Sequence, residues 1–169
     1  MATPNASSAF EGRSGARDGM ADIKIERINP NAPPAGLWEL LALSVGCATV
    51  EKLERIRASY TEADRGLTAA FANGHLAGVI GYRRRETELE ITHIVVREGF
   101  RRQGVARVMI SAALAQHVGL DAVAETDDEA VGFYRAIGFR TEALPCGDNR
   151  TQRWRCRFPD APEMTREQI

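Results

Sequence analysis

The chain has 169 residues and a mass of 18.5 kDa, room for one compact domain with a sizeable core but not for two. Hydrophobic residues at 44% and charged residues at 27% exclude collagen, coiled coil and wholesale disorder. A formal net charge of −1 sets up no global field to gather nucleic acid or an anionic membrane, so any polyanion must be held by a local patch.

Residues 1–21 are rich in Ala, Ser, Gly and Arg and lack the apolar run of a secretory signal, while Glu11 and Asp18 interrupt any transit-peptide pattern. They are expected to form a disordered leader, ahead of a domain over 22–158 and a loose tail over 159–169. Ile23 to Ile28 alternates with period two, as a half-buried strand does. After Pro30, Pro33 and Pro34 break the chain, Leu37, Leu40, Leu41 and Val45 fall at helical spacing. A second helix is expected from Thr49, its cap, to Tyr60. Gly66–Phe71 and His75–Tyr82 read as strands joined through Asn73-Gly74, a hairpin signal because both positions tolerate positive φ. Glu88–Val96 is a third strand, on which Glu86, Glu88 and Glu90 are expected to share a solvated face.

The basic, glycine-containing loop from Arg97 to Gly104 comes next. Val105, Val108, Met109, Ala112 and Ala115 then lie on one helical face, closed by Gly119. His117, near that helix's C-terminus, is placed where its charge suits the dipole. Leu120–Glu125 is a short strand. Thr126-Asp127-Asp128-Glu129 has the capping-box pattern and predicts that a helix starts there and stops at Gly138. Phe139–Leu144 and Arg153–Phe158 complete the order β-α-α-β-β-β-α-β-α-β-β, a mixed sheet with helices packed on it.

Cys47, Cys146 and Cys156 are odd in number, widely spaced and form no CxxC pair, so neither a disulfide framework nor a zinc site is expected. Reduced thiols in a cytoplasm, and no metal, are the expectation. The longest nearly apolar stretch, Leu40–Val50, is too short to span a bilayer.

The loop before the long helix carries the most information. The first amides of a helix lack intrahelical partners, and the helix dipole adds partial positive charge there. Gly104 stands where the helix begins, flanked by Arg101, Arg102 and Arg107, which suits a phosphate or pyrophosphate. Gly99 and Gly104 have GxxxxG spacing, but Val105 and Ala106 stand where a nucleotide P-loop needs Lys and Ser or Thr. No GxGxxG occurs. A pyrophosphate held without metal is the reading that remains.

Val96-Arg97-Glu98-Gly99-Phe100-Arg101-Arg102-Gln103-Gly104-Val105-Ala106 resembles the acetyl-CoA loop of the GNAT family, the GCN5-related N-acetyltransferases, with Arg101, Gly104 and Ala106 on its core pattern. Ala130 to Phe139 resembles that family's later helix, with Phe133-Tyr134, three residues, then Gly138-Phe139. The resemblance covers roughly Ile23 to Phe158. It departs from the family at Glu98, Arg102 and Asp127, where the family often has proline, glycine and asparagine.

The resemblance implies an α/β (α+β) fold: a mixed, mostly antiparallel sheet of about seven strands, splayed in the middle and flanked by about four helices. It implies that the amides of Arg102, Gln103, Gly104, Val105, Ala106 and Arg107, with Arg101, hold the CoA pyrophosphate. Ile94, Val95 and Val96 would pair through their backbone with the pantetheine arm, and an N–H near Val95 would polarise the thioester carbonyl. Asp127 and Phe133 would line the cofactor. Tyr134 matches the tyrosine that protonates the leaving thiolate. The base is left open between Glu90, aligned with the strand glutamate of histone-acetylating members, and His93, whose imidazole titrates near neutrality. Trp38, Tyr60, Asp148 and Arg150 are candidates for the acceptor wall.

The implied activity is acetyl transfer from acetyl-CoA, without metal, to a primary amine of a small molecule in a ternary complex. A protein N-terminus or lysine as acceptor, and a CoA-binding sensor without turnover, are the alternatives. Neither nucleic acid nor membrane is an expected partner, since acids balance the arginines. The state is monomer or homodimer.

Overall fold

The computed structural model describes residues 22–145 and 151–158. The elements are β1 (Ile23–Ile28), α1 (Leu37–Ala42), α2 (Val50–Ser59), β2 (Arg65–Ala72), β3 (His75–Arg84), β4 (Glu88–Val96), a 3₁₀ turn (Glu98–Phe100), α3 (Val105–Ala115), β5 (Asp121–Asp127), α4 (Val131–Ala136), β6 (Arg140–Ala143) and β7 (Arg153–Phe158). Seven strands form one sheet in the order β1-β2-β3-β4-β5-β7-β6. Every pairing is antiparallel except that of β4 with β5.

Two apolar layers cover the sheet. On one face α3 brings Val105, Met109, Ile110 and Ala113 against Ile80, Tyr82, Leu89 and Ile91. On the other, Leu37, Leu40 and Leu41 of α1 pack with Tyr60, Leu67, Val79 and Val95. The local signals for these elements are simple. Asn73 and Gly74 both take positive φ, 50° and 79°, as a tight hairpin demands. Thr49 Oγ1 accepts the N–H of Lys52 at 3.2 Å and so caps α2.

A β-bulge organises the middle of the sheet. Gly81 pairs with His93 but Tyr82 pairs with Ile91, so Thr92 is an extra residue in β4. The insertion resets the alternation of the strand. Leu89 and Ile91 before it, and Ile94 and Val96 after it, all face the α3 layer. Val95 faces the α1–α2 layer instead. Thus Glu88, Glu90, His93 and Val95 share the face that α1 and α2 cover in part.

β4 and β5 pair only from Glu88–Glu90 to Asp121–Val123. Beyond that they diverge, β4 to Val96 and β5 to Asp127, while β5 keeps pairing with β7 on its other side. This is the splay that the family resemblance implied. Its closed end is held by Glu88, which accepts both Arg155 Nη2 (2.8 and 2.7 Å) and Arg157 Nη2 (2.7 Å). Arg157 also binds Asp121 at 2.6 Å.

Four local expectations are corrected. Thr126 does not cap α4, because Thr126 and Asp127 remain in β5, paired with Trp154 and Arg153; the helix starts at Val131. Glu88 is not a solvated strand residue, because the two arginines from β7 enclose it. His117 does not serve as a helix-end cation: it lies edge-on to Tyr82 at 5.3 Å, and burial pushes its pKa down. Finally, α1 ends at Ala42, leaving Val45 in the turn that follows.

Candidate active site

The opening in the sheet exposes a strand edge whose donors can be read from the ladder. Arg97 N–H bonds Ala77 O at 2.8 Å, and the register runs unbroken from Val96↔Gly78 to His93↔Gly81. In an antiparallel ladder hydrogen-bonding residues alternate, so His93 and Val95 turn their amides to β3. Ile94 and Val96 turn theirs to the opening. The amide of Val95 itself is thus spent on β3, and those of its two neighbours face the opening. Val96 O, on that edge, accepts Arg101 Nε–H at 3.2 Å.

This edge leads into the turn before α3. Phe100 N–H to Arg97 O (2.9 Å), Arg101 N–H to Glu98 O (3.2 Å) and Gln103 Nε2 to Gly99 O (3.1 Å) tie the turn together. Arg102 and Gly104 have φ of 62° and 79°. The backbone N–H groups of 102–107 have no hydrogen-bond acceptor among the described residues. A side chain on Gly104 would meet nothing within 4 Å, so the space beside these amides is open. Val105 and Ala106 send their side chains into the core and are 2% and 5% exposed. Six consecutive unpaired donors, left-handed residues among them and a helix N-terminus behind make a nest that fits a pyrophosphate. Arg101 and Arg102 are exposed beside it. The Arg107 guanidinium lies 5.9 Å from the centre of the Phe158 ring.

Tyr134 comes from α4 in the α3–α4 layer. Its ring is fixed edge-on between Phe133 (5.4 Å) and Phe139 (5.2 Å). Its hydroxyl has no hydrogen-bond partner among the described residues, yet it is not one of the sealed orphan atoms, which are Thr68 Oγ1, Tyr82 Oη and His117 Nε2. The ring is anchored and the O–H stays accessible. Burial pushes the phenol up to about 12, so it keeps its proton at neutral pH. Phe133 is partly exposed beside it. Asp127 Oδ1 accepts the N–H of Ala130 at 3.1 Å and shapes the turn into α4.

His93 stands on the opposite face of β4, where β5 has already left. Its Nδ1 lies 2.6 Å from Tyr60 Oη, and the rings are 5.9 Å apart. Nε2 has no partner among the described residues and is not a sealed orphan. Burial, then the charges of Arg65 and Lys52, push the imidazole down from 6.5 to about 4. Glu90 is bound by Arg85 Nε at 2.9 Å and Nη2 at 2.8 Å. It shares a pocket of about 200 Å³ at the closed end of the splay with Glu88, Glu125 and Arg155. Asp148 and Arg150, like Cys146, lie outside the described residues.

The shift at His93 gives a testable pH dependence. Between pH 6.5 and 4 the unfolded chain binds a proton at this ring that the folded chain does not. Stability is therefore retained above 6.5 and lost as pH falls toward 4, by about 2–3 kcal/mol from this group. Denaturant melts across that range should show the loss. His93→Gln should reduce it, leaving the same-signed contribution of His117.

Sequence reasoning missed Tyr60 and Thr92 as the partners of His93. Tyr60 was marked only for the acceptor wall. Nothing local announces a contact across 33 residues.

A splayed mixed sheet with an anion nest at its strand–helix turn is the framework of an acyltransferase. Residues 45–152 match the family described as acetyltransferase (GNAT) domain, and the chain belongs to that family. Solved structures agree in fold. Aminoglycoside 6′-N-acetyltransferase from Enterococcus faecium matches with a TM-score of 0.65 and 18% identity, over 82% of this chain and 98% of that one. For the ribosomal-protein-S18-alanine N-acetyltransferase from Escherichia coli the values are 0.58 and 14%, over 87% and 99%. A Bacillus subtilis acetyltransferase in complex with CoA gives 0.58 and 20%, over 80% and 97%. Among curated proteins none matches the sequence. Among the described residues no helix is long and apolar enough to cross a membrane.

Proposed function

We propose that the domain over 22–158 transfers the acetyl group of acetyl-CoA to a primary amine of a small molecule, by direct attack in a ternary complex. One observation supports this reading: the edge of β4 left open by β5 ends at Val96, and one short turn, residues 97–101, joins it to the unpaired amides of 102–107. The amides of 102–107 would hold the diphosphate, and Val96 and then Ile94 would pair through their backbone with the arm attached to it. Acetyl-CoA supplies an acyl group activated as a thioester.

This chain's residues do the rest. The open-edge N–H of Ile94 would donate to the oxygen that gains charge during attack. His93, neutral at pH 7, would take the proton of the acceptor ammonium at Nε2. An amine like that of a lysine side chain has a pKa of about 10.4, so it arrives protonated. From the other face Tyr134 would give its proton to the departing sulfur. In this reading Glu90 stays with Arg85 and tunes the closed end of the cleft rather than acting as base. A cytoplasmic setting fits the free thiols Cys47 and Cys156.

Thiol release from acetyl-CoA, followed against amino acids, polyamines, aminoglycosides and peptide N-termini, tests the proposal. Turnover on a small amine is the expected result. Turnover on the peptides alone would move the acceptor to proteins, and tight CoA binding with no turnover on any amine would favour a sensor.

A further inference from the structure

The hydroxyl of Tyr60 sits at the centre of a polar cluster that the chemistry above does not use. Tyr60 closes the C-terminus of α2, is 3% exposed, and places Oη 2.9 Å from Thr92 Oγ1 and 2.6 Å from His93 Nδ1. Independent features of the chain accommodate it. Any side chain at Gly81, opposite His93 in the ladder, would collide with this hydroxyl. In a regular strand Thr92 and His93 would point to opposite faces; the bulge lets both reach one phenol. The Trp38 ring lies against Tyr60 with its centre 6.3 Å away.

A phenol has one proton to give. The cluster can therefore be satisfied in two ways. If Tyr60 donates to Nδ1, the ring's own proton sits on Nε2, and no lone pair is left for a substrate. If Nδ1–H donates to Oη instead, Tyr60 donates to Thr92 Oγ1, and Nε2 keeps its lone pair.

We propose that Tyr60 and Thr92 are positioning residues that hold His93 in the Nδ1–H tautomer, with the Nε2 lone pair offered to the acceptor; this rests on the reading of His93 as the base. In the proton transfer an N–H bond of the acceptor ammonium breaks and an Nε2–H bond forms, while the nitrogen keeps its electron pair for the attack. The resulting imidazolium is a donor at both nitrogens, so its bond to Oη and that of Tyr60 to Thr92 persist without any heavy atom moving. Arg65 of β2 and Lys52 of α2, the charged groups felt at the ring, both oppose that cation. From α1 the Trp38 ring packs on Tyr60, and from β3 Gly81 lies beneath the Tyr60 hydroxyl; neither carries a charge. The aligned dipoles of Tyr60 and Thr92 are what remains to favour it.

Nitrogen-15 spectroscopy of protein carrying labelled histidine tests this directly, because the chain has only three histidines to assign. The wild type should show the Nδ1–H pattern for His93 at pH 7. Thr92→Val removes the outer acceptor, leaves Nδ1 as the remaining acceptor for Tyr60, and should shift the ring to the Nε2–H form. It should also lower kcat at least about tenfold, with KM for acetyl-CoA unchanged. Thr92→Ser should restore both readouts, and Tyr60→Phe, which releases the ring to either tautomer, should give an intermediate kcat. An Nε2–H ring in the wild type, or a folded Thr92→Val protein with wild-type tautomer and kcat, overturns the proposal. Wild-type kcat in His93→Gln would instead remove His93 as base, and the nitrogen spectra would still decide whether Tyr60 and Thr92 set the ring.

Discussion

Replacing Gly104 by valine is expected to weaken coenzyme A binding about 100-fold, or roughly 2.7 kcal/mol, while leaving the protein folded. The argument separates the two effects by geometry. Gly104 has φ of +79°, a conformation that a β-branched residue adopts only under strain. A Cβ there meets no protein atom within 4 Å, so no clash with the core adds to the folding cost. Strain alone destabilises by about 1–2 kcal/mol, which an ordinary domain survives. The effect on binding is larger because the same residue orients successive amides of the nest. Hydrogen bonds from such amides to a charged phosphate are worth about 1.5–3 kcal/mol each, and turning even one away removes most of that. The valine methyls also occupy the open space through which an anion would approach. Calorimetric titration with CoA, beside a thermal melt, measures both terms. Unchanged affinity in a folded variant would place the diphosphate elsewhere and remove the basis for reading β4 as the edge that holds the arm.

How far the site could be read from sequence depended on the range of the forces that build it. The nest was legible because its components are local: Gly104 at a helix start, arginines around it and apolar Val105 and Ala106 turned inward. The Asn73-Gly74 hairpin was legible for the same reason. The capping box at Thr126 also has correct local chemistry, yet it loses to a ladder with β7 that joins residues far apart in the chain. Glu88 read as solvated because its partners, Arg155 and Arg157, stand 67 and 69 residues away. The bulge at Thr92 was the hardest to see. Its sequence, Ile91-Thr92-His93-Ile94, fits a plain strand, and what displaces it is the hydroxyl of Tyr60 entering the space that Gly81 leaves. That one insertion decides which face His93 occupies. Glu90 and His93 could be named from the sequence as candidates, but the partner of each could not. The two side chains differ in their pairing: Glu90 is engaged by the Arg85 guanidinium, whereas His93 keeps one ring nitrogen without a partner among the described residues.

Tyr134→Phe should lower kcat about 100-fold with little change in the KM for acetyl-CoA or in stability. The phenyl ring preserves the edge-on contacts with Phe133 and Phe139. The lost hydroxyl has no hydrogen-bond partner among the described residues, so its removal leaves no buried group orphaned. On the proposed reading, what disappears is a proton donor. A thiol like that of cysteine has a pKa of about 8.5, so at neutral pH the leaving sulfur gains from being protonated as its bond to carbon breaks. Burial holds the Tyr134 phenol at about 12, which keeps that proton in place across the working range of an assay. The wild-type kcat profile should therefore show no basic limb from this group below about pH 11. Steady-state kinetics from pH 6 to 9 on the wild type and the variant, paired with melts, carry the test. A variant with wild-type kcat would reduce Tyr134 to a packing residue and leave sulfur departure to solvent. A variant that instead loses acetyl-CoA affinity would mean the hydroxyl grips the ground state and does not discriminate in favour of the transition state.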